Sequence, residues 1–94
     1  MEIIIDGLTI NSEEELHDFF AKSFSLPYWY GRNLHALWDV LTGMVEMPLT
    51  IIWQNSEISK QHIANYEQII TLLKKVELTY KPYGKSREFK FILE

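Results

Sequence analysis

Hydrophobic positions along this chain switch between two rhythms, and the switches mark out its elements. Ile3-Ile4-Ile5 is a β-branched run halted by Asp6-Gly7, which predicts a short buried strand followed by a turn. A hairpin at Asp6-Gly7 would have only Leu8-Thr9-Ile10 as its second arm, because a helix start follows at once. Ser12 with Glu15 three residues later is the pattern of a capping box: the serine oxygen takes a free N–H and the glutamate reaches back to the cap. Glu13 and Glu14 suit the positive end of the helix dipole. Leu16, Phe19, Phe20 and Phe24 recur at helical spacing and give the buried stripe, and His17 beside them reads as a surface residue. Leu26-Pro27 ends the helix, since a residue before proline is pushed out of helical geometry.

Tyr28-Trp29-Tyr30-Gly31 reads as a loop. Asn33 as N-cap and Gly43 as C-terminal stop bound a helix over 33–43, with Leu34, Leu37, Trp38 and Leu41 on its core side. After Pro48, Leu49-Thr50-Ile51-Ile52-Trp53 has little polar alternation and predicts a strand covered on both faces. A helical stretch opens at Ser56, breaks near 63–65, and continues through Tyr66, Ile69, Ile70, Leu73 and Val76. Residues 81–86 form a loop, and Phe89, Phe91 and Leu93 alternate with Lys90 and Ile92 as a last strand. The order β-α-α-β-α-β, with an extra helical turn in the third helical region, implies crossover connections. The expected fold is therefore a small α/β domain over 1–94 with a mainly parallel three-stranded sheet.

Composition narrows the function classes. An apolar fraction of 47% with 23% charged residues is globular, and the five Phe, five Tyr and three Trp suffice for a dense small core. Without cysteine there is no disulfide, thiolate metal site or thiol nucleophile, which fits a cytoplasmic protein. No apolar stretch approaches the roughly 18 residues of a membrane span, and the start lacks the pattern of a signal peptide. The net charge of −4 is uneven: residues 1–73 carry ten acids against three bases (−7), residues 74–90 six bases against two acids (+4). An acidic body favours a basic partner, while the basic segment keeps nucleic-acid contact as an alternative.

Catalytic and cofactor signatures are missing. The four glycines lie singly, so no phosphate-cradling loop exists and no cofactor is implied. His35 and Asp39 are four apart on one helix face, but a third metal ligand at suitable spacing is lacking, as is a nearby serine or cysteine nucleophile. The expectation is a protein that is not an enzyme and has no small-molecule substrate. What remains is a surface: His35, Asp39 and Thr42 form a polar stripe beside the aromatic loop, and Glu46 would extend it. Rigid rings around one carboxylate are the composition of an interface hot spot.

The run Leu26-Pro27-Tyr28-Trp29-Tyr30-Gly31-Arg32-Asn33-Leu34-His35-Ala36-Leu37-Trp38-Asp39-Val40-Leu41-Thr42-Gly43, followed by Val45-Glu46-Met47-Pro48, closely resembles the signature of the barstar family, intracellular protein inhibitors of barnase-type ribonucleases. The resemblance implies a three-stranded parallel sheet with three to four packed helices, and a 33–43 helix that plugs a ribonuclease active site together with the loop before it. By position, Trp29, Gly31, Asn33, Leu34, Trp38, Asp39, Thr42 and Gly43 inherit the contact role, with His35 and Glu46 on the same face. Asp39 would stand in for a phosphate in the cationic cleft. The partner implied is an extracellular or delivered ribonuclease, and the role that of a bacterial immunity protein or antitoxin.

Three departures bear on specificity. Trp29 stands where the family usually has tyrosine, His35 where well-known members have aspartate, and Arg32 where they have glutamate. Near Lys74-Lys75 those members present a glutamate, and Glu77 reads as lying on another face. Electrostatic steering is expected to be weaker. Affinity would vary between about pH 5.5 and 8 if His35 meets a charged group of the target. Two other readings stand beside this one: a binding module for a non-ribonuclease toxin, and RNA binding through Lys74, Lys75, Lys81, Lys85, Arg87 and Lys90 with Tyr80 and Tyr83.

Overall fold

The computed structural model describes all 94 residues. Its elements are β1 (Glu2–Asp6), α1 (Glu13–Ser23), α2 (Leu34–Gly43), β2 (Leu49–Gln54), α3 (Ser56–His62), α4 (Tyr66–Tyr80) and β3 (Phe89–Leu93), with 3₁₀ turns at Lys81–Tyr83 and Lys85–Arg87. The strands form one parallel sheet in the order β1-β2-β3, so β2 is central and both outer strands are edges. This is the α/β arrangement that the alternation of elements predicts, including the break at 63–65.

Ile3 and Ile5 of β1, Leu49, Ile51 and Trp53 of β2 and Phe89 of β3 share one buried cluster with Leu16 and Phe20 of α1, Leu37 and Leu41 of α2, and Ile69, Leu73 and Val76 of α4. Trp53 is wholly buried at its centre. Its indole N–H donates to the buried Ser59 hydroxyl of α3 (2.8 Å), and Tyr66 meets its ring edge-on at 5.5 Å. A buried indole N–H without a partner would be costly, so this bond fixes α3 against the sheet.

The other sheet face departs from expectation. Cover on both sides of β2 is not found: Thr50, Ile52 and Gln54 are only half-buried. Parallel register lines up Ile4, Ile52 and Ile92 in a row across the three strands, with Ile4 47% and Ile92 37% exposed. These isoleucines satisfy one another across strands, which is enough to select β-branched residues without full burial.

α1 starts as the capping pattern predicts, with one difference. The Glu15 N–H donates to Ser12 Oγ (3.1 Å), but the Glu15 carboxylate accepts from Asn11 N–H (2.9 Å) and from the Ser12 hydroxyl (3.4 Å) rather than from the backbone N–H of the cap residue. The helix ends before Leu26-Pro27 by a six-residue turn of its own. Leu26 N–H reaches back to Ala21 O (2.8 Å) and Ser25 N–H to Lys22 O (3.4 Å), with Ser25 in the left-handed region at φ 52°. That is a Schellman motif with serine where glycine is usual. Gly7, after β1, is needed for close approach: a Cβ there would collide with the Asn55 carbonyl and lie 2.6 Å from Ser59 Oγ, where the β2–α3 junction crosses.

Two outcomes follow from this backbone. Ser25→Gly is expected to stabilise the fold by about 0.5–1 kcal/mol, because glycine carries no penalty at positive φ, as measured by denaturant midpoint at constant m-value. Gly7→Ala is expected to destabilise by about 2 kcal/mol or more, since backbone must move to admit the methyl group, and the same titration reads it.

Candidate functional site

α2 carries the candidate site, and its capping sets where it begins. Asn33 Oδ1 accepts from Ala36 N–H (2.8 Å), as an N-cap should, while Asn33 Nδ2 donates to Gly31 O (3.2 Å). Leu37, Val40 and Leu41 are buried, and the Tyr80 hydroxyl of α4 donates to Leu41 O (3.2 Å). The core side is thus rotated slightly from the expected one. Val40 joins it, whereas Leu34 and Trp38 lie half-buried at its margin, packed against the core but open to solvent.

That rotation turns the polar stripe outward. His35 is 90% and Asp39 65% exposed, and imidazole Nε2 lies 3.9 Å from the Asp39 carboxylate, beyond hydrogen-bond range. The Asp39 carboxylate therefore accepts no hydrogen bond from its own chain, and its neighbour within ion-pair distance is the His35 ring when that ring is protonated. Thr42 lies on the same side but its hydroxyl donates to Trp38 O (2.7 Å), so it offers a partner mainly an acceptor. Gly43 is not the left-handed stop that its identity suggests. It is the last residue of α2, and Met44 and Val45 N–H groups both close on Val40 O at 3.0 Å. Beyond its chain neighbours and its own helix backbone, no atom lies within 4 Å of the place its Cβ would occupy, and the residue is exposed. Glu46 is exposed just past the helix end.

The loop entering α2 is held from below and bare above. Tyr28 is 99% and Trp29 66% exposed. Tyr30 between them and the helix is buried, its hydroxyl 2.7 Å from His17 Nδ1, and His17 Nε2 is 3.0 Å from a Glu13 carboxylate oxygen. His17 is therefore a buried core histidine at 1% exposure, not a surface residue. The signal that sequence reading missed is Glu13 one turn before it, which gives the imidazole a partner on its own helix. Burial pushes the Tyr30 phenol up to about 12, the Arg32 charge opposing and Glu13 adding to the shift. Arg32 adopts φ 51° and its guanidinium pairs with Asp18. The left-handed residue at the helix entrance is thus Arg32, while Gly31 is there for space: a Cβ would sit 3.2 Å from that of Ala36.

Two further features border this face. A groove of about 640 Å³ runs between α2 and α4, walled by Leu34, Trp38 and Leu72 and rimmed by His35, Glu67, Gln68, Thr71 and Lys75. Neither this concavity nor Met44, 51% exposed beside Gly43, shows in the hydrophobic pattern, because both depend on how α2 packs rather than on its own period. The basic segment is less suited to stacking nucleic-acid bases than its composition suggests. Tyr80 is buried with its hydroxyl committed to Leu41, and the Arg87 guanidinium lies 5.2 Å over the Tyr83 ring. No three His, Cys, Asp or Glu side chains converge on a metal-sized site, and no helix is long and apolar enough to cross a membrane.

Two comparisons with known proteins cover the whole length of the chain. A family model described as Barstar (barnase inhibitor) matches residues 1–94. The chain is also 38% identical over 94 residues to a Bacillus subtilis (strain 168) protein named "Putative ribonuclease inhibitor YrdF", covering 99% of this chain and 98% of that protein. With a family model matched over all 94 residues and a relative 38% identical over nearly the whole of both chains, this chain belongs to the barstar family.

Proposed function

We propose that residues 1–94 act as one barstar-like domain that inhibits a barnase-type ribonuclease by seating α2 and the 27–32 loop in its cleft. The family and the relative's name point to an inhibitor rather than an enzyme. The observation that carries the finer reading is the Asp39 carboxylate, 65% exposed, midway along a ridge and accepting no hydrogen bond from its own chain. A ribonuclease cleft is electropositive because it must hold phosphates, and a free carboxylate on a rigid helix meets that demand at little ordering cost. Trp29, Leu34, Trp38 and Gly43 supply rings, aliphatic surface and close backbone approach around it. Gly31, Asn33, His35, Thr42 and Glu46 complete the contact surface. The role is that of an immunity protein or antitoxin in a bacterial cytoplasm, protecting the cell from a secreted or delivered nuclease.

Charge on this face is mixed. Arg32, paired with Asp18, and Lys75 accompany Asp39, Glu46 and Glu67, so steering of a basic enzyme is weaker than a uniformly acidic face would give.

Asp39→Ala is the direct test. Stability should stay within about 0.5 kcal/mol of the parent, since the side chain touches nothing structural. Inhibition should weaken by about 3–5 kcal/mol, the range of central charged hot spots, which the barnase–barstar pair itself helped to define. A denaturant titration reads the first, and residual activity of barnase and other small bacterial ribonucleases, titrated with parent and variant, reads the second. Equal inhibition by the two proteins would remove Asp39 from the site.

A further inference from the structure

Two residues on α1, away from the proposed contact ridge, are tied to the loop that feeds it. We infer that Glu13 and His17 are positioning residues for the 27–32 loop, holding it through Tyr30 in the conformation that meets the target. The functional half of this inference rests on the inhibitory reading above; the structural half does not.

Hydrogen-bond chemistry fixes the polarity of the chain of contacts. A carboxylate only accepts, so Nε2 of His17, 3.0 Å from Glu13, carries the proton. With the ring in its neutral form, Nδ1 is then an acceptor and the Tyr30 hydroxyl 2.7 Å away donates to it. Glu13 thereby selects the tautomer that can receive the loop. His17 is 1% and Tyr30 7% exposed, so water is poorly placed to substitute for either partner. The elevated phenol pKa agrees with a hydroxyl that keeps its proton.

Other restraints on the loop are weaker. Residues 27–32 contain no helix or strand, and their one internal backbone bond runs from Tyr30 N–H to Pro27 O (3.0 Å). The Arg32–Asp18 ion pair also returns to α1, but its side chains are 47% and 54% exposed, where solvent and salt screen it. Tyr30 is thus the one buried anchor in a segment whose Tyr28 and Trp29 rings face water. Rings held ready in solution lose less freedom on association than rings that must be ordered by the partner.

The test begins without any target. Nitrogen NMR of the parent should show His17 as the Nε2–H tautomer; the Nδ1–H form or a doubly protonated ring would overturn the assignment. Tyr30→Phe keeps the ring and deletes only the donor. It should raise exchange of the residue-30 amide at least tenfold and lower backbone order across 28–32, with β2 and α4 amides unchanged. Unchanged loop exchange, or a uniform rise across the molecule, would overturn the positioning role. Glu13→Gln retains an acceptor and should preserve loop order, whereas Glu13→Ala should loosen it; equal behaviour of the two would count against the relay. With a ribonuclease that the parent inhibits, Tyr30→Phe should speed dissociation about tenfold at nearly constant association rate. A looser loop with unchanged dissociation would overturn the functional half. Asp39→Ala should leave loop order untouched, so failure of the inhibitory reading and failure of the anchor give different results.

Discussion

Burial of Leu37, Val40 and Leu41 decides how α2 is rotated, and everything presented to a partner depends on that rotation. At 100° per residue, a helix whose apolar side is locked into the core has no freedom left in the direction of its polar side. His35 and Asp39 leave the molecule because their neighbours cannot. The bond from Tyr80 to the Leu41 carbonyl adds a polar latch from α4 at the same level. A carboxylate on such a helix is aimed by packing elsewhere, and the ridge itself need contribute nothing to the fold.

The loop before α2 is built on the opposite plan. It has no apolar stripe to orient it and relies on one buried phenol and one exposed ion pair, both reaching back to α1. Two residues in this connection, Ser25 and Arg32, accept left-handed backbone without being glycine. Such positions persist where surrounding contacts over-determine the chain. For Ser25 these are the two carbonyl bonds of the helix terminus; for Arg32 they are the Asn33 cap and the pairing with Asp18.

Much of the architecture was legible in the order of residues. The α2 boundaries follow from Asn33 and the Leu34-to-Leu41 spacing, and the α3–α4 break from the loss of period near Ile63. These are local signals, satisfied within one or two turns. Features that hid were those set by tertiary partners. A histidine next to a buried stripe looks like surface until Tyr30 arrives from thirteen residues away. Gly43 suggests a helix stop yet lies within regular helix, and the clearance that Gly31 provides against Ala36 shows only once α2 is in place. The half-open face of β2 was hidden for a related reason: cross-strand packing of Ile4, Ile52 and Ile92 imitates burial in composition. For the ridge, sequence spacing foretold which side chains share a face, while the degree to which each is bare required the packed structure.

The separation between scaffold and ridge has an evolutionary reach. Side chains such as His35 and Asp39 touch solvent on most sides, so exchanging their charge perturbs the folded state by no more than about half a kcal/mol. On the contact surface proposed above, recognition can thus be revised one surface letter at a time, drawing on none of the stability reserve that the Trp53 core provides.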